Sequence, residues 1–429
     1  MNTKTDQKIS MRTKVENMNV MQKPDGSYVY LDNNATTPMD PRVFEAMKPY
    51  FIEKFGNAAS RSHHFGWEAE DAVDLARNQI AKAIGAVDPK EIIWTSGATE
   101  SNNIAILGAA EMHKEKGNHI ITQAIEHKAV LDPCKYLESK GFQVTYLPVD
   151  KFGQINLADL EKAITDKTIL ISIMHANNEI GTIQKISEIG AIAAKHNVLF
   201  HTDASQTLGK LEIDVEKMNI HLLSGSGHKV YGPKGIGMLY VRRRNPRVKL
   251  SPIIFGGGHE RGLRSGTLNV PGIVGFGKAV ELAVQERDVE TKRLQKLRDK
   301  LKDRFFSELD EIYLNGHPTE RLAHNLNVSF AFVEGESLMM GINHIAVSSG
   351  SACTSASLEP SYVLKGLGIG DELAHTSIRF SLGRFNTEAD IDFVADEVIK
   401  TVKKLRDMSP LYEMFKEGID ISKIQWAKH

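Results

Sequence analysis

Cysteine is nearly absent from this chain: Cys134 and Cys353 are the two in 429 residues. That scarcity excludes a disulfide framework and makes a reducing compartment the expected home. No run approaches the roughly 20 apolar residues that cross a bilayer, so no membrane association is expected. Excess charge is missing too. A formal net charge of −1 gives no basic surface of the kind that nucleic acid phosphates select. Repeats and low-complexity tracts are absent, and no GxxxxGK[ST] phosphate loop accompanies Lys229 or Lys234. Residues 1–27 have no apolar segment and mix Lys4, Lys8, Arg12 and Lys14 with Asp6 and Glu16. They read as a disordered extension rather than a secretory signal.

What is present suggests two domains, since 429 residues exceed one ordinary core. From about residue 88 to 245, short β-branched runs alternate with helical patterns: IIWT (92–95), HIITQ (119–123), FQVTYLPV (142–149), TILISIM (168–174), VLFHTD (198–203), HLLSG (221–225) and GMLYVR (237–242). The alternation predicts an α/β domain with a mostly parallel, seven-stranded sheet covered on both faces. A charged helical pattern at 277–307, with Leu294, Leu297, Leu301 and Phe305 on one stripe, leads into a smaller α+β part containing LNVSFAF (326–332), SIRFSLGRF (377–385) and a helix at 387–407. The expected division is a large domain over 28–285 and a small one over 286–429.

Ligands of parallel sheets bind beyond the carboxyl ends of the strands. Chemistry-bearing residues fall at those ends here: SGATE (96–100), Glu126 and His127, Asn177 and Asn178, Asp203 and Gln206, then Ser226, His228 and Lys229. Lys229 sits in the tight loop SGSGHKVYGPKG (224–235), and Asp203 ends a strand. Pyridoxal phosphate needs such a pair: a lysine for the Schiff base, and an aspartate that keeps the pyridine nitrogen protonated. SGATES (96–101) offers helix-start N–H groups and the Thr99 hydroxyl to a phosphate, though alone it fits an ordinary helix cap equally well. His127 suits the face of a pyridine ring or an ordinary packed histidine. Asn178 and Gln206 suit the cofactor's phenolic oxygen, a substrate carboxylate, or a turn. Arg379 fits carboxylate capture and a structural strand arginine alike. Cys353 lies in SSGSACTSASLEPS (348–361), a polar loop without aromatics, which makes it a nucleophile candidate, whereas Cys134 lies in a helical pattern and reads as inert. The run RRRNPR (242–247) is a solvated turn or a patch for an acidic partner.

The motifs SGATESNN, EHKAVL, NNEIG, HTDASQ, SGHKVYGPKG, RSGT (264–267), SSGSACTSASLEPSYVL and SIRFSLGRF, within a likeness running from YLDNNATTPMDPRV (30–43) to the last residue, resemble the NifS/IscS-type cysteine desulfurases. These are pyridoxal phosphate enzymes of fold type I. The extended cysteine loop and the tail at 409–426 look like the housekeeping branch that supplies sulfur for iron–sulfur clusters and for tRNA thiolation.

That resemblance implies that Lys229 links to the cofactor, Asp203 meets the pyridine nitrogen, His127 stacks on the ring and Gln206 meets the phenolic oxygen. It implies that Asn178 borders cofactor and substrate, and that Ala98, Thr99, Ser226, Gly227 and His228 hold the phosphate with Thr267 of a second subunit, making a homodimer. Arg379 would hold the carboxylate of L-cysteine. Cys353 would take the sulfur as a persulfide and transiently ligate a 2Fe–2S cluster shared with the scaffold. The implied partners are an IscU-type scaffold docked by the tail, through exposed Leu411, Tyr412, Met414 and Phe415, other sulfur acceptors, and a frataxin-like acidic protein. The implied location is the cytoplasm, or an organellar matrix if residues 1–27 form a presequence. Ser205 departs from the family's usual alanine. An aminotransferase or a selenocysteine lyase is the rival on the same fold, and neither needs a thiol on a mobile loop. A nucleotide-binding scaffold is the rival of another class, and it predicts no chromophore.

Overall fold

The computed structural model describes residues 28–349 and 360–419. After a short strand β1 (Val29–Tyr30), seven strands form the large sheet: β2 (Ile92–Thr95), β3 (His119–Gln123), β4 (Gln143–Leu147), β5 (Thr168–Ser172), β6 (Leu199–Asp203), β7 (Leu222–Ser226) and β8 (Gly237–Val241). Their order is β2-β8-β7-β6-β5-β3-β4. Only β8 runs antiparallel to its neighbours, so the expected mostly parallel sheet is present.

Side chains alternate between two cores, as strand geometry requires. Ile92, Trp94, Ile121, Ile171, Met238 and Tyr240 enter one core, and Ile93, Ile120, Leu170 and Leu239 enter the other. The first is covered by α1 (His64–Ala83) and the second by α2 (Ala98–His113) and α3 (Lys128–Glu138). Cys134, on α3, is fully buried in that second core, and burial pushes its thiol up to about 12. A thiol so held is neutral and unreactive.

Helix α4 (Val270–Glu308) joins the two parts of the molecule. It starts seven residues before the expected 277, because the Asn269 side chain caps it through Gly272 N–H and Pro271 is tolerated in the first turn. The glycines that disguise this start permit close approach: a Cβ on Gly277 would lie 2.7 Å from Ala76 of α1. Val270, Ile273, Phe276 and Val280 enter the large-domain core, whereas Leu294, Leu297, Leu301 and Phe305 enter a separate one. That separate core is built on strands β9 (Ile312–Leu314), β10 (Asn325–Phe330), β12 (Ser348–Ser349) and β13 (Ser377–Ser381) with helix α5 (Glu388–Asp407). It also takes Val29 and Leu31, and β1 pairs in parallel with β11 (Ile345–Ala346). The described residues therefore start in the small unit before building the large one, which a contiguous 28–285 domain does not anticipate.

Helix α6 (Pro410–Lys416) lays Tyr412 and Phe415 against Phe332, with ring centroids 5.8 and 5.0 Å away. Leu411, Tyr412 and Met414 are consequently half-buried, and Phe415 remains 37% exposed. Over the described part of the tail the apolar surface is thus smaller than the sequence suggests. No helix among the described residues is long and apolar enough to cross a membrane.

Candidate active site

The carboxyl ends of β2, β3, β6 and β7, with the turn after β5, open into one cavity of about 810 Å³. Its wall carries Ala98, Thr99, His127, Asn178, Asp203, Gln206, Ser226, His228, Lys229 and Arg379. The structure brings together in one place residues that lie as far apart in the chain as Ala98 and Arg379. Gly227 and Thr267 are not on that wall. Gly227 is buried and turns the lysine loop, its carbonyl accepting N–H from Val230 and Gly232, and a Cβ there would sit 2.9 Å from Pro233 O. Thr267 is exposed on this chain. Cys353 lies outside the described residues, as do tail residues beyond 419. Among the described residues no cluster suited to a metal occurs.

Lys229 Nζ donates to the carbonyls of Asn34 at 2.5 Å and Ala35 at 2.7 Å. Asp203 Oδ1 accepts the Ser205 N–H at 2.9 Å and the Ser205 hydroxyl at 2.5 Å, while Oδ2 accepts Asn102 Nδ2 at 2.7 Å. Three donors hold the carboxylate in one orientation at the cavity wall, and one of them is the unusual Ser205 hydroxyl. His127 Nδ1 accepts the Ala129 N–H at 3.1 Å, which leaves the proton of the neutral ring on Nε2. Burial pulls His127 below its ordinary value and Lys229 adds to that, so the ring is neutral near pH 7. His228, whose Nδ1 pairs with the Thr36 hydroxyl at 3.1 Å, is pulled down to about 4 by burial and by Lys229, Lys234 and Lys210.

Helix α2 points its first turn into the cavity through Ala98 and Thr99. Glu100 is tied back by Arg264 at 2.7 Å and by the Ser96 N–H at 2.8 Å. A Cβ on Gly237 would lie 2.6 Å from Gly97, so glycine is required where β8 passes under this turn. Ser226 and His228 face it from the lysine loop. This is a phosphate-sized recess of helix-start N–H groups and hydroxyls.

Arg379 is 5% exposed and spans the other side. Its Nη1 donates to Asn178 O at 2.9 Å, and its Nη2 to Asp32 at 2.8 Å and the Ser348 hydroxyl at 2.9 Å. Its Nε–H is buried without an acceptor among the described residues. A buried donor without a partner costs roughly 1–3 kcal/mol, and a ligand carboxylate entering the cavity would relieve it. A lysine, a fixed carboxylate, a neutral histidine, a recess of helix-start N–H groups and a buried arginine with an open N–H make a lining that fits pyridoxal phosphate carrying an amino acid.

The residues that sequence reasoning missed are mostly supports. Asn34 and Ala35 hold Lys229, Asp32 holds Arg379, and Asn102 holds Asp203. Asp32, Asn34 and Ala35 belong to the LDNNATT run, whose density of small polar residues in a strand-exit turn was the available signal.

Behind the cavity, Glu126 is fully buried. Its Oε1 accepts Gln123 Nε2 at 2.8 Å and Met174 N at 2.6 Å, and Oε2 has no partner among the described residues. Burial pushes its carboxyl up to about 8, so the folded protein holds a proton there at neutral pH that the unfolded chain releases. Stability from this group therefore falls as pH rises from about 5 to 8, by at most about 1.4 kcal/mol per pH unit. Glu126→Gln, which keeps the shape without the charge, is expected to flatten that part of the profile. Urea midpoints across the window check it; parallel profiles for the two proteins would contradict the assignment.

The Aminotransferase class-V family model matches residues 29–394. The chain is 59% identical over 399 residues to a cysteine desulfurase IscS of Anaeromyxobacter sp. (strain Fw109-5), covering 93% of this chain and 98% of the relative. It is 58% identical over 401 residues to that of Rickettsia bellii, covering 94% and 97%. Among solved structures, a NifS-like protein superposes with a TM-score of 0.82 at 41% identity, covering 88% of this chain and 100% of that one. SspA in complex with cysteine superposes with a TM-score of 0.73 at 41% identity, covering 84% and 100%. The chain belongs to the class-V aminotransferases and, within them, to the NifS/IscS-type cysteine desulfurases.

Proposed function

We propose that the protein removes sulfur from L-cysteine, releases L-alanine and carries the sulfur as a persulfide on Cys353 for iron–sulfur cluster assembly. One observation carries the reading of Cys353. The two described ends of its segment are fastened at the active-site cavity: Ser348 bonds Asp32 and Arg379, while Ser361 bonds Glu179, next to Asn178, at 2.5 Å and Tyr362 bonds the carbonyl of Glu126, next to His127, at 2.6 Å. A segment rooted on both sides of the cavity can deliver a thiol into it.

Bound in the cavity, pyridoxal phosphate supplies an electron sink that labilises the substrate Cα–H bond and weakens the Cβ–S bond. The chain's own residues do the rest. Arg379 Nε–H and the recess beside Asn178 orient the carboxylate. Asp203, locked by Asn102 and Ser205, would hold the ring nitrogen protonated with a fixed negative charge. Lys229 Nζ would take the Cα proton, and His127 Nε2, on the same cavity wall, would exchange a proton with the bound substrate. The Cys353 thiolate attacks the substrate sulfur; the Cβ–S bond breaks, its electron pair stays on Cβ, and protonation there completes alanine. The sum is L-cysteine plus a protein thiol giving L-alanine plus a protein persulfide, with no external oxidant. Incubation with L-cysteine without reductant should give one alanine per sulfur retained on the protein. Alanine without protein-bound sulfur would favour the lyase reading.

The working enzyme in this proposal is a homodimer. Phe51, Ile52, Phe55, Phe65 and Trp67, in the helical turn, loop and helix start over 49–67, are 49–80% exposed, more apolar side chains than a monomer usually shows in one stretch. A second copy would cover them and bring Thr267 to the neighbouring phosphate recess. Sedimentation should find a dimer; a fully active monomer would refute the shared site.

A further inference from the structure

A second cavity, of about 150 Å³, lies between the two cores. It is bounded by Gly209–Leu211 and Val230–Tyr231 of the large domain, by the middle of α4, and by Thr319–His324 with Arg384 of the small unit. Its wall carries five cationic side chains, Lys210, Arg287, Arg298, Arg321 and Arg384, and one carboxylate, Glu290. That carboxylate is already engaged, since Arg384 donates to it at 2.9 and 3.0 Å. Arg298 pairs with Asp299 at 2.7 Å, and Arg287 lies 3.6 Å from Asp288.

Two cations are left without a carboxylate within 4 Å among the described residues. Arg321, 6% exposed, gives its N–H groups to the carbonyls of Ile180, Asn315, His317 and Asn325 and to the Asn325 side chain, so its hydrogen bonds are met but its charge is not. Lys210 has the His324 ring at 3.4 Å as its side-chain partner. It keeps a partial opening to solvent, yet burial and nearby Lys229 pull its ammonium down to about 7. Uncompensated buried charge is costly, and a guanidinium does not shed its proton to escape that cost. A counter-ion in the cavity resolves it. Lys210 has two further N–H groups to offer, and Arg287 and Arg298, about three turns apart on one face of α4, both line the cavity. The volume accommodates on the order of five waters, or one small oxyanion with part of its hydration.

We propose that this interdomain cavity binds a small oxyanion, a tetrahedral sulfate or phosphate group or a planar carboxylate, held by Lys210 of the large domain and by Arg287 and Arg298 of α4. Such an ion ties the loop that follows Gln206 to the helix leading into the small unit, so the site is distinct from the cofactor cavity and suited to modulate it.

The test uses cofactor-loaded enzyme, whose phosphate recess is filled, titrated calorimetrically with sodium sulfate, phosphate and acetate at constant ionic strength. At least one of the three should saturate at one ion per chain in the micromolar to millimolar range. Lys210→Met should weaken it by tenfold or more, and Arg379→Gln, which alters the substrate anchor, should leave it unchanged. If Lys210→Met does not fold, Arg287→Gln is expected to show the same loss. Absence of saturation with all three ions, equal affinity in the variants of this cavity, or loss in Arg379→Gln instead would each overturn the proposal.

Discussion

Lys229→Ala should give a folded protein that no longer retains pyridoxal phosphate through dialysis and has lost turnover by several orders of magnitude. The wild type should be yellow, absorbing at roughly 400 nm as a lysine imine of this cofactor does. The fold should survive because Lys229 is half-buried at the cavity and its amine bonds the loop carbonyls of Asn34 and Ala35. The loop itself is set by Gly227, by Val230 N–H on its carbonyl, and by Tyr231, whose N–H donates to the Thr37 hydroxyl. None of those depends on the amine. The recess at Ala98, Thr99 and Ser226 and the carboxylate at Asp203 also remain, so reversible binding should persist while the covalent link is gone. Absorption spectra before and after dialysis check this. A Lys229→Ala protein that stays yellow after exhaustive dialysis would show that another amine carries the cofactor.

The residues legible in the sequence were those whose position needs only local pattern. Strand runs such as IIWT and TILIS are β-branched and buried on both faces, and so Thr95, Asp203 and Ser226 fall at strand ends without further information. Arg379 was ambiguous because its role depends on Asp32 and Asn178, which lie far away in sequence and reach it only once β13 is in place. Helix α4 hid its first turns behind Gly272 and Gly275, and a Cβ on Gly275 would collide with Met47 and Pro233, a tertiary reason invisible to helical propensity. Val29 and Leu31 read as the start of the large domain because they precede it, whereas a parallel pairing with Ile345 and Ala346 takes β1 to the other core. The tail's apolar residues suggested an open surface, since nothing local reveals Phe332 as their cover.

Cys353→Ser should keep cofactor, colour and the spectral change on adding L-cysteine, yet lose alanine formation by roughly a thousandfold or more, as expected when a covalent nucleophile is removed. In the proposed reaction substrate binding rests on Arg379, Asn178 and the cofactor, and the contacts that hold Arg379 and Asp203 come from Asp32 and Ser348 and from Asn102 and Ser205. The variant should therefore stall with cysteine bound. Cys134→Ala is the control. That thiol is buried in the core under α3 and held neutral, so it lacks both access and charge for sulfur attack, and its removal should cost stability rather than turnover. After a pulse of L-cysteine without reductant, mass spectrometry of the wild type should find a gain of about 32 Da on the peptide carrying Cys353, removed by reductant. The same gain on the Cys134 peptide is not expected. Should Cys353→Ser make alanine at the wild-type rate, sulfur would be leaving without a protein acceptor. The site would then be that of a lyase, with Ser348, Ser361 and Tyr362 anchoring a segment that serves some other purpose.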